Sequence, residues 1–203
     1  MTRVLLTRHG HVEGIHPPRF RGRHDVPLSP IGRTQADAVA AAIAASGPIR
    51  AVYTSPMSRC VDTGQRIADA CNTPCTSWSS LSDLDYGIWQ WKTHEDMRQA
   101  APDLFAQWFS HPERVQFPEG ESLQDLIART AMAIRKLYAD HADDTVVVVG
   151  HDSVNRAIMM QILDQPLSAY WRLWFSPCAI SEFEIAHEKM QVVRINDASH
   201  LPS

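Results

Sequence analysis

Lysine is scarce in this chain: three of the 19 basic residues are lysine (Lys92, Lys136 and Lys189), and acids outnumber bases 23 to 19. A chain of net charge −4 lacks the basic excess that binding to a phosphate backbone needs, so a general nucleic-acid binder is excluded. No run of 18 apolar residues occurs, which excludes a membrane-spanning helix. The opening stretch, Met1-Thr2-Arg3-Val4-Leu5-Leu6-Thr7-Arg8, has too short an apolar run for an export signal, and the expected compartment is the cytoplasm. The four cysteines, Cys60, Cys71, Cys75 and Cys178, form no CxxC pair and read as buried thiols in a reducing compartment. Repeats, low-complexity tracts and Gly/Ser linkers are missing too. Residues 1–203 are therefore expected to form one domain.

What remains is ordinary globular composition, 44% hydrophobic and 21% charged over 203 residues. A chain of this size buries roughly 70% of its unfolded surface, enough for a core without disulfides or structural metal. Residues 3–7 read as a buried strand. Gly10, Gly14, Pro17, Pro18, Gly22 and Pro27 mark residues 8–28 as loop. Ser29-Pro30 supplies an N-cap and first helical position, and Ser46-Gly47-Pro48 stops that helix. A short strand at 51–54 and a helix at 57–70 follow. Short helices are expected near 93–100 and 103–110. Ser122, with Asp125 as capping-box partner, opens a long helix that ends near His141. Residues 145–149 are a β-branched strand closed by Gly150, then a helix covers 153–163. Segments 179–185 and 190–195 read as a hairpin around His187-Glu188-Lys189. This alternation predicts a three-layer α/β/α sandwich with a mostly parallel sheet.

In such sheets, ligands sit beyond the carboxyl ends of the strands. Arg8-His9-Gly10, Ser55-Pro56-Met57-Ser58-Arg59 and Gly150-His151-Asp152 each leave a predicted strand there. Two arginines and a protonated histidine around a second histidine make a dianion site, since guanidinium forks fit phosphoryl oxygens. A neutral imidazole in the centre can attack phosphorus and split one difficult displacement into two. Fixed cations then stabilise the charge on the equatorial oxygens, and a carboxylic acid must protonate the leaving oxygen.

These residues carry a family resemblance. Leu5-Leu6-Thr7-Arg8-His9-Gly10 resembles the Arg-His-Gly signature of the histidine phosphatase superfamily, the phosphoglycerate mutase-like proteins. Arg21-Gly22 with Asp25, Pro27-Leu28-Ser29, Gly32 and Gln35-Ala36 resembles the next segment of that family. Ser55-Pro56-Met57-Ser58-Arg59 with Thr63 resembles its second-arginine motif, and Leu81-Ser82-Asp83 through Gly87-Ile88-Trp89 its acid segment. Pro118-Glu119-Gly120-Glu121-Ser122-Leu123 and 146–150 with His151 complete the order. The resemblance implies a phosphoglycerate mutase-like fold and a phosphomonoester phosphatase acting on a small phosphorylated metabolite, with no metal or organic cofactor. It implies His9 as the phosphorylated nucleophile, with Arg8, Arg59 and His151 on the phosphoryl oxygens. Asp83 stands where most members carry a Glu acid, and Asp85 is its rival. Arg21 and Gly22 join the substrate-binding set. So does Asp152, which replaces a common glycine and repels a dianion unless it points away or pairs with Arg156. The segment at about 88–120, rich in aromatic residues, is expected to supply core and part of a lid over the substrate.

Other readings compete. A 2,3-bisphosphoglycerate-dependent mutase shares the chemistry, although such mutases are usually longer. A non-catalytic module that binds a phosphorylated ligand would tolerate loss of a histidine or arginine, and here all four are present. His9-Gly10-His11 also resembles a metal pair, which would need further ligands on later strands. The basic cluster His16, Arg19, Arg21, Arg23 and His24 reads either as a solvated loop or as a rim that steers anions. The C-terminal hairpin and the region 171–174 read equally as a solvated edge or a homodimer interface.

Overall fold

The computed structural model describes residues 1–203 apart from His16, His187, Glu188 and Ser203. Four strands run parallel. They are β1 (Thr2–Arg8), β2 (Ala51–Thr54), β3 (Cys75–Ser77) and β4 (Thr145–Gly150). Strands β5 (Ile180–Ala186) and β6 (Lys189–Asp197) add an antiparallel edge, giving the order β3-β2-β4-β1-β5-β6. The turn expected around His187 and Glu188 lies outside the described residues.

The helices form two layers. Helices α1 (Pro30–Ala44) and α2 (Ser58–Cys71) bury Val39, Ile43 and Ile67 against Leu5, Val52, Val147 and Val149. Two short helices come next, α3 (His94–Ala100) and α4 (Pro102–Ser110). Helices α5 (Leu123–Asp140) and α6 (Asp152–Ile162) cover the other face, where Val4, Leu6, Val146 and Val148 point. Alternate residues of one strand thus feed opposite layers, as the two-residue period demands. Among the described residues, no helix is long and apolar enough to cross a membrane.

The caps follow their chemistry. Ser29 accepts from the backbone amide of Gly32, and Ser122 and Asp125 close a reciprocal capping box on α5. Strand β3, which the sequence reading does not anticipate, is three residues of Cys-Thr-Ser held by pairing with β2. All four cysteines are free thiols; Cys60 and Cys178 are buried, Cys71 and Cys75 half-buried.

Topology sets the site. The connection after β1 leads to α1 on one face, and the connection after β4 leads to α6 on the other. Adjacent strands that send their helices to opposite faces leave a crevice at their carboxyl ends. The register pairs Arg8 with Gly150, so His9 and His151 leave the sheet side by side. The loop after β1 is pressed onto the first turn of α1: a Cβ on Gly32 would lie 2.0 Å from the His11 carbonyl oxygen. Gly32→Ala is therefore expected to destabilise the fold by about 1–3 kcal/mol through overpacking, despite the better helix propensity of Ala. Urea unfolding of the two proteins checks this, and an equal or raised midpoint contradicts it.

Candidate active site

His9 sits at the crevice floor. Its backbone amide donates to the Gly150 carbonyl at 3.0 Å, and its ring centroid lies 5.2 Å from that of His151. Nδ1 is 2.7 Å from the Gly10 carbonyl oxygen. A carbonyl can only accept, so Nδ1 carries the hydrogen and Nε2 keeps its lone pair. Burial pushes the His9 pKa well below its ordinary 6.5, and Arg59, His151 and Arg8 push it the same way. His9 is thus a neutral imidazole with a free nitrogen among cations.

The cations come from three segments. Arg8 is buried. Its Nη1 donates to the Phe175 carbonyl at 2.8 Å, while Nε is buried without a hydrogen-bond partner among the described residues. An orphaned buried donor calls for an acceptor that the described residues do not supply. Arg21 donates to the Gly14 carbonyl at 2.9 Å, and its pKa is pushed down to about 10 by burial and by Arg8. Arg59, from the first turn of α2, is fully buried. It donates to His151 Nδ1 (3.3 Å), the carbonyls of His24 (2.9 Å) and Gly22 (2.7 Å), and Asp83 Oδ2 (3.3 Å). Most of its donors are therefore committed to the protein. Gly22 adopts φ +48°, and a Cβ there would meet the Leu84 carbonyl at 2.8 Å, so glycine fits this loop best.

His151 departs from the expectation of a protonated ring. Its pKa is driven well below 6.5, by burial first and then by Arg59 and Arg8. Nδ1 accepts from Arg59, and Nε2 then carries the hydrogen and donates to Ser55 Oγ at 2.8 Å. The physical reason is burial first, with four arginines lowering its proton affinity further.

Asp83 closes the far wall. Oδ1 accepts from the Leu84 amide at 2.9 Å and from the Ser153 hydroxyl; Oδ2 faces Arg59 and His151. Asp85 points elsewhere, to Arg23 at 3.0 Å and to the Gly87 amide. His9, Arg19, Arg21, Gly22, Asp83, Tyr86, Asp152 and Ser153 line one small polar cavity of about 50 Å³. It opens into a larger cleft of about 390 Å³, walled by Arg8, Arg156, Phe20, Trp108, Trp171 and Trp174 among others. Asp152 pairs with Arg156 at 2.9 Å, as its expected neutralisation requires.

Of the basic cluster, Arg19 and Arg21 line the cleft. Arg23 pairs with Asp85 and Glu121, and His24 stacks on Trp91 at 4.4 Å between centroids; His16 lies outside the described residues. His11 hydrogen-bonds Ser29 Oγ at 2.8 Å and lines the outer cleft. In the stretch 88–120, Trp89, Trp108 and Phe117 are core side chains, and Phe109 is exposed.

Sequence reasoning missed Arg129. Its guanidinium donates to the carbonyls of Ser80 (2.9 Å), Ser82 (2.6 Å) and Asp83 (3.0 Å) and pairs with Glu121 at 2.9 Å. It holds the loop that presents Asp83. The available signal is its position three residues after Leu126 and four before Ala133, a charge at the spacing of the buried α5 stripe.

Both buried histidines have folded pKa values below those of an unfolded chain, so unfolding takes up protons as pH falls. Their stabilisation is complete above about pH 6.5 and is lost as pH drops through the folded values. His9→Gln is expected to flatten the pH slope of stability by up to about 1.4 kcal/mol per unit below pH 6.5. Urea midpoints at about pH 7.5 and 5.5 test this; parallel slopes would contradict it.

The family model of the histidine phosphatase superfamily (branch 1) matches residues 4–198. Phosphoserine phosphatase 1 of Hydrogenobacter thermophilus is 27% identical over 201 residues, covering 99% of this chain and 95% of that one. The solved structure of Bacillus stearothermophilus YhfR superposes with a TM-score of 0.95 at 27% identity, covering 100% of both chains. An Entamoeba histolytica phosphoserine phosphatase variant, solved with phosphoserine, superposes with a TM-score of 0.88 at 22% identity, again covering 100% of both.

Proposed function

The chain belongs to the histidine phosphatase superfamily, branch 1, and from that premise we propose that it hydrolyses small phosphomonoesters through a phosphohistidine on His9. The observation that carries the reading is the His9 ring: neutral, fixed in one tautomer by Gly10, its free Nε2 among arginines in a cavity of phosphoryl size. The 27% identity to a phosphoserine phosphatase supports a monoesterase.

The steps follow from the charges. The substrate dianion docks against Arg8 Nε, Arg21 and the remaining Arg59 donor, while segment 88–120 serves as part of the lid. Asp83, on the cavity wall, is the carboxylic acid that serves the leaving oxygen. His151 gains a proton more readily once the dianion offsets the arginines. His9 Nε2 attacks phosphorus in line, the bond to the ester oxygen breaks, and Asp83 gives that oxygen its proton. Arginine charges stabilise the spreading charge on the equatorial oxygens. The alcohol leaves. Water then attacks the phosphohistidine, Asp83 takes its proton, and the N–P bond breaks to release phosphate and neutral His9.

Phosphate release from p-nitrophenyl phosphate, measured with EDTA present, is expected to persist in the parent and fall at least about a thousandfold in His9→Ala. Acid-labile, base-stable phosphate on the quenched parent and not on His9→Ala is the accompanying signature. Asp83→Asn is expected to lose roughly 100- to 10,000-fold on alkyl phosphates. It should lose less on p-nitrophenyl phosphate, whose leaving group needs no proton. Full activity in His9→Ala would sink the mechanism.

A further inference from the structure

Asp152 stands where the inner cavity meets the outer cleft and lines both. Its two carboxylate oxygens differ. Oδ2 accepts from Arg156 Nε at 2.9 Å. Oδ1 is buried and has no hydrogen-bond partner among the described residues. Proteins rarely leave a buried carboxylate oxygen without a donor, because its lost hydration is then uncompensated. Local structure does not call for this atom. The first turn of α6 benefits from the charge alone. Arg156 is already fixed by the Tyr170 carbonyl at 2.8 Å and by the rings of Tyr170 and Trp171, 5.2 and 4.9 Å from its guanidinium carbon. Oδ1 is therefore a buried acceptor without a donor among the described residues, on a residue that lines the space a substrate fills.

The surroundings select the donor. Arg8, Arg19, Arg21 and Arg156 all line this cleft, and Arg156 already balances the charge of Asp152. An ammonium group would enter a positive field. A hydroxyl satisfies the same acceptor without that repulsion. Beyond Asp152, the cleft encloses about 390 Å³, and Trp171 and Trp174 on its wall are exposed, flat surfaces that suit the carbon face of a larger alcohol.

We propose that Asp152 Oδ1 accepts a hydrogen bond from a hydroxyl of the alcohol half of the substrate, close to the ester oxygen. The enzyme then selects phosphate esters of polyols, their carbon skeletons lying on the tryptophan wall. The assignment rests on the phosphatase reading of the same site and adds the substrate class to it.

The test uses three matched esters, glycerol 1-phosphate, propyl phosphate and phosphoethanolamine, on the parent, Asp152→Ala and Asp152→Asn. The parent is expected to prefer glycerol 1-phosphate over propyl phosphate by roughly tenfold or more in kcat/KM, the scale of a buried polar group left unpaired. Asp152→Ala should bring that ratio close to one. Asp152→Asn, which keeps a carbonyl acceptor and the side-chain volume, should retain most of it. Equal losses on all three esters would reduce Asp152 to a structural role and overturn the proposal. A loss confined to phosphoethanolamine would overturn the hydroxyl assignment in favour of an ammonium. Failure of the phosphatase reading is distinguishable, because the parent then turns over none of the esters. Calorimetric titration of His9→Ala with glycerol 1-phosphate and propyl phosphate still reads the preference, and equal affinities would overturn it.

Discussion

A single buried cation holds the site together. The Arg59 guanidinium is sealed from solvent and donates to His151, Asp83, His24 and Gly22, residues from three separate loops. A charge in that position is tolerable only when its donors are satisfied and a counter-charge is near. The requirement works in reverse on the partners. The loop after β1 must bring its carbonyls, the loop after β3 its carboxylate, and the loop after β4 its imidazole. Each of these segments has polar groups of its own to satisfy, so they settle into one arrangement rather than many.

The same burial decides protonation. His9 and His151 lie among arginines with little water to screen them, and both rings lose their affinity for a proton. An exposed pair of histidines would be partly charged near neutrality and poor in free nitrogen lone pairs. The cost of burying them falls on the whole fold. It is offset by the central strands, where residues 146–149 are all fully buried valines contributing about 1.5–3 kcal/mol each. The rigid middle of the sheet thus stabilises a crevice whose own side chains do not favour it.

Most of the fold was legible because each long element carries a local signal. Ser29-Pro30 and the Ser122–Asp125 box set helix starts, and the valine run of β4 could be little else. Strand β3 carried no such signal; its Cys-Thr-Ser sequence is polar, and it exists because β2 offers an open edge. At the site, His9, Arg8, Arg59 and His151 were legible because the chain must leave a strand next to each or turn beside it. Arg129 and Ser153 were not, since they act on backbone carbonyls and on a carboxylate that only the folded chain brings near. The charge state of His151 was equally hidden, because it depends on arginines from four different segments.

Inner and outer parts of the crevice answer to different physics. The cavity around His9 is polar, cramped and crossed by hydrogen bonds, so its residues have almost no freedom to vary without breaking the network. The cleft beyond it is walled largely by rings and aliphatic groups, among them Ile15, Pro18, Phe20, Trp171, Trp174 and Pro177. Contacts of that kind tolerate exchange, since apolar packing demands volume rather than direction. Reaction type is therefore fixed by the strand ends, while the choice of alcohol can drift with the loops. Asp152 lies on the boundary: one oxygen belongs to the network through Arg156, and the other is exempt from it. A residue so divided can change what the enzyme selects while the network around His9 and the arginines behind it keeps the same geometry.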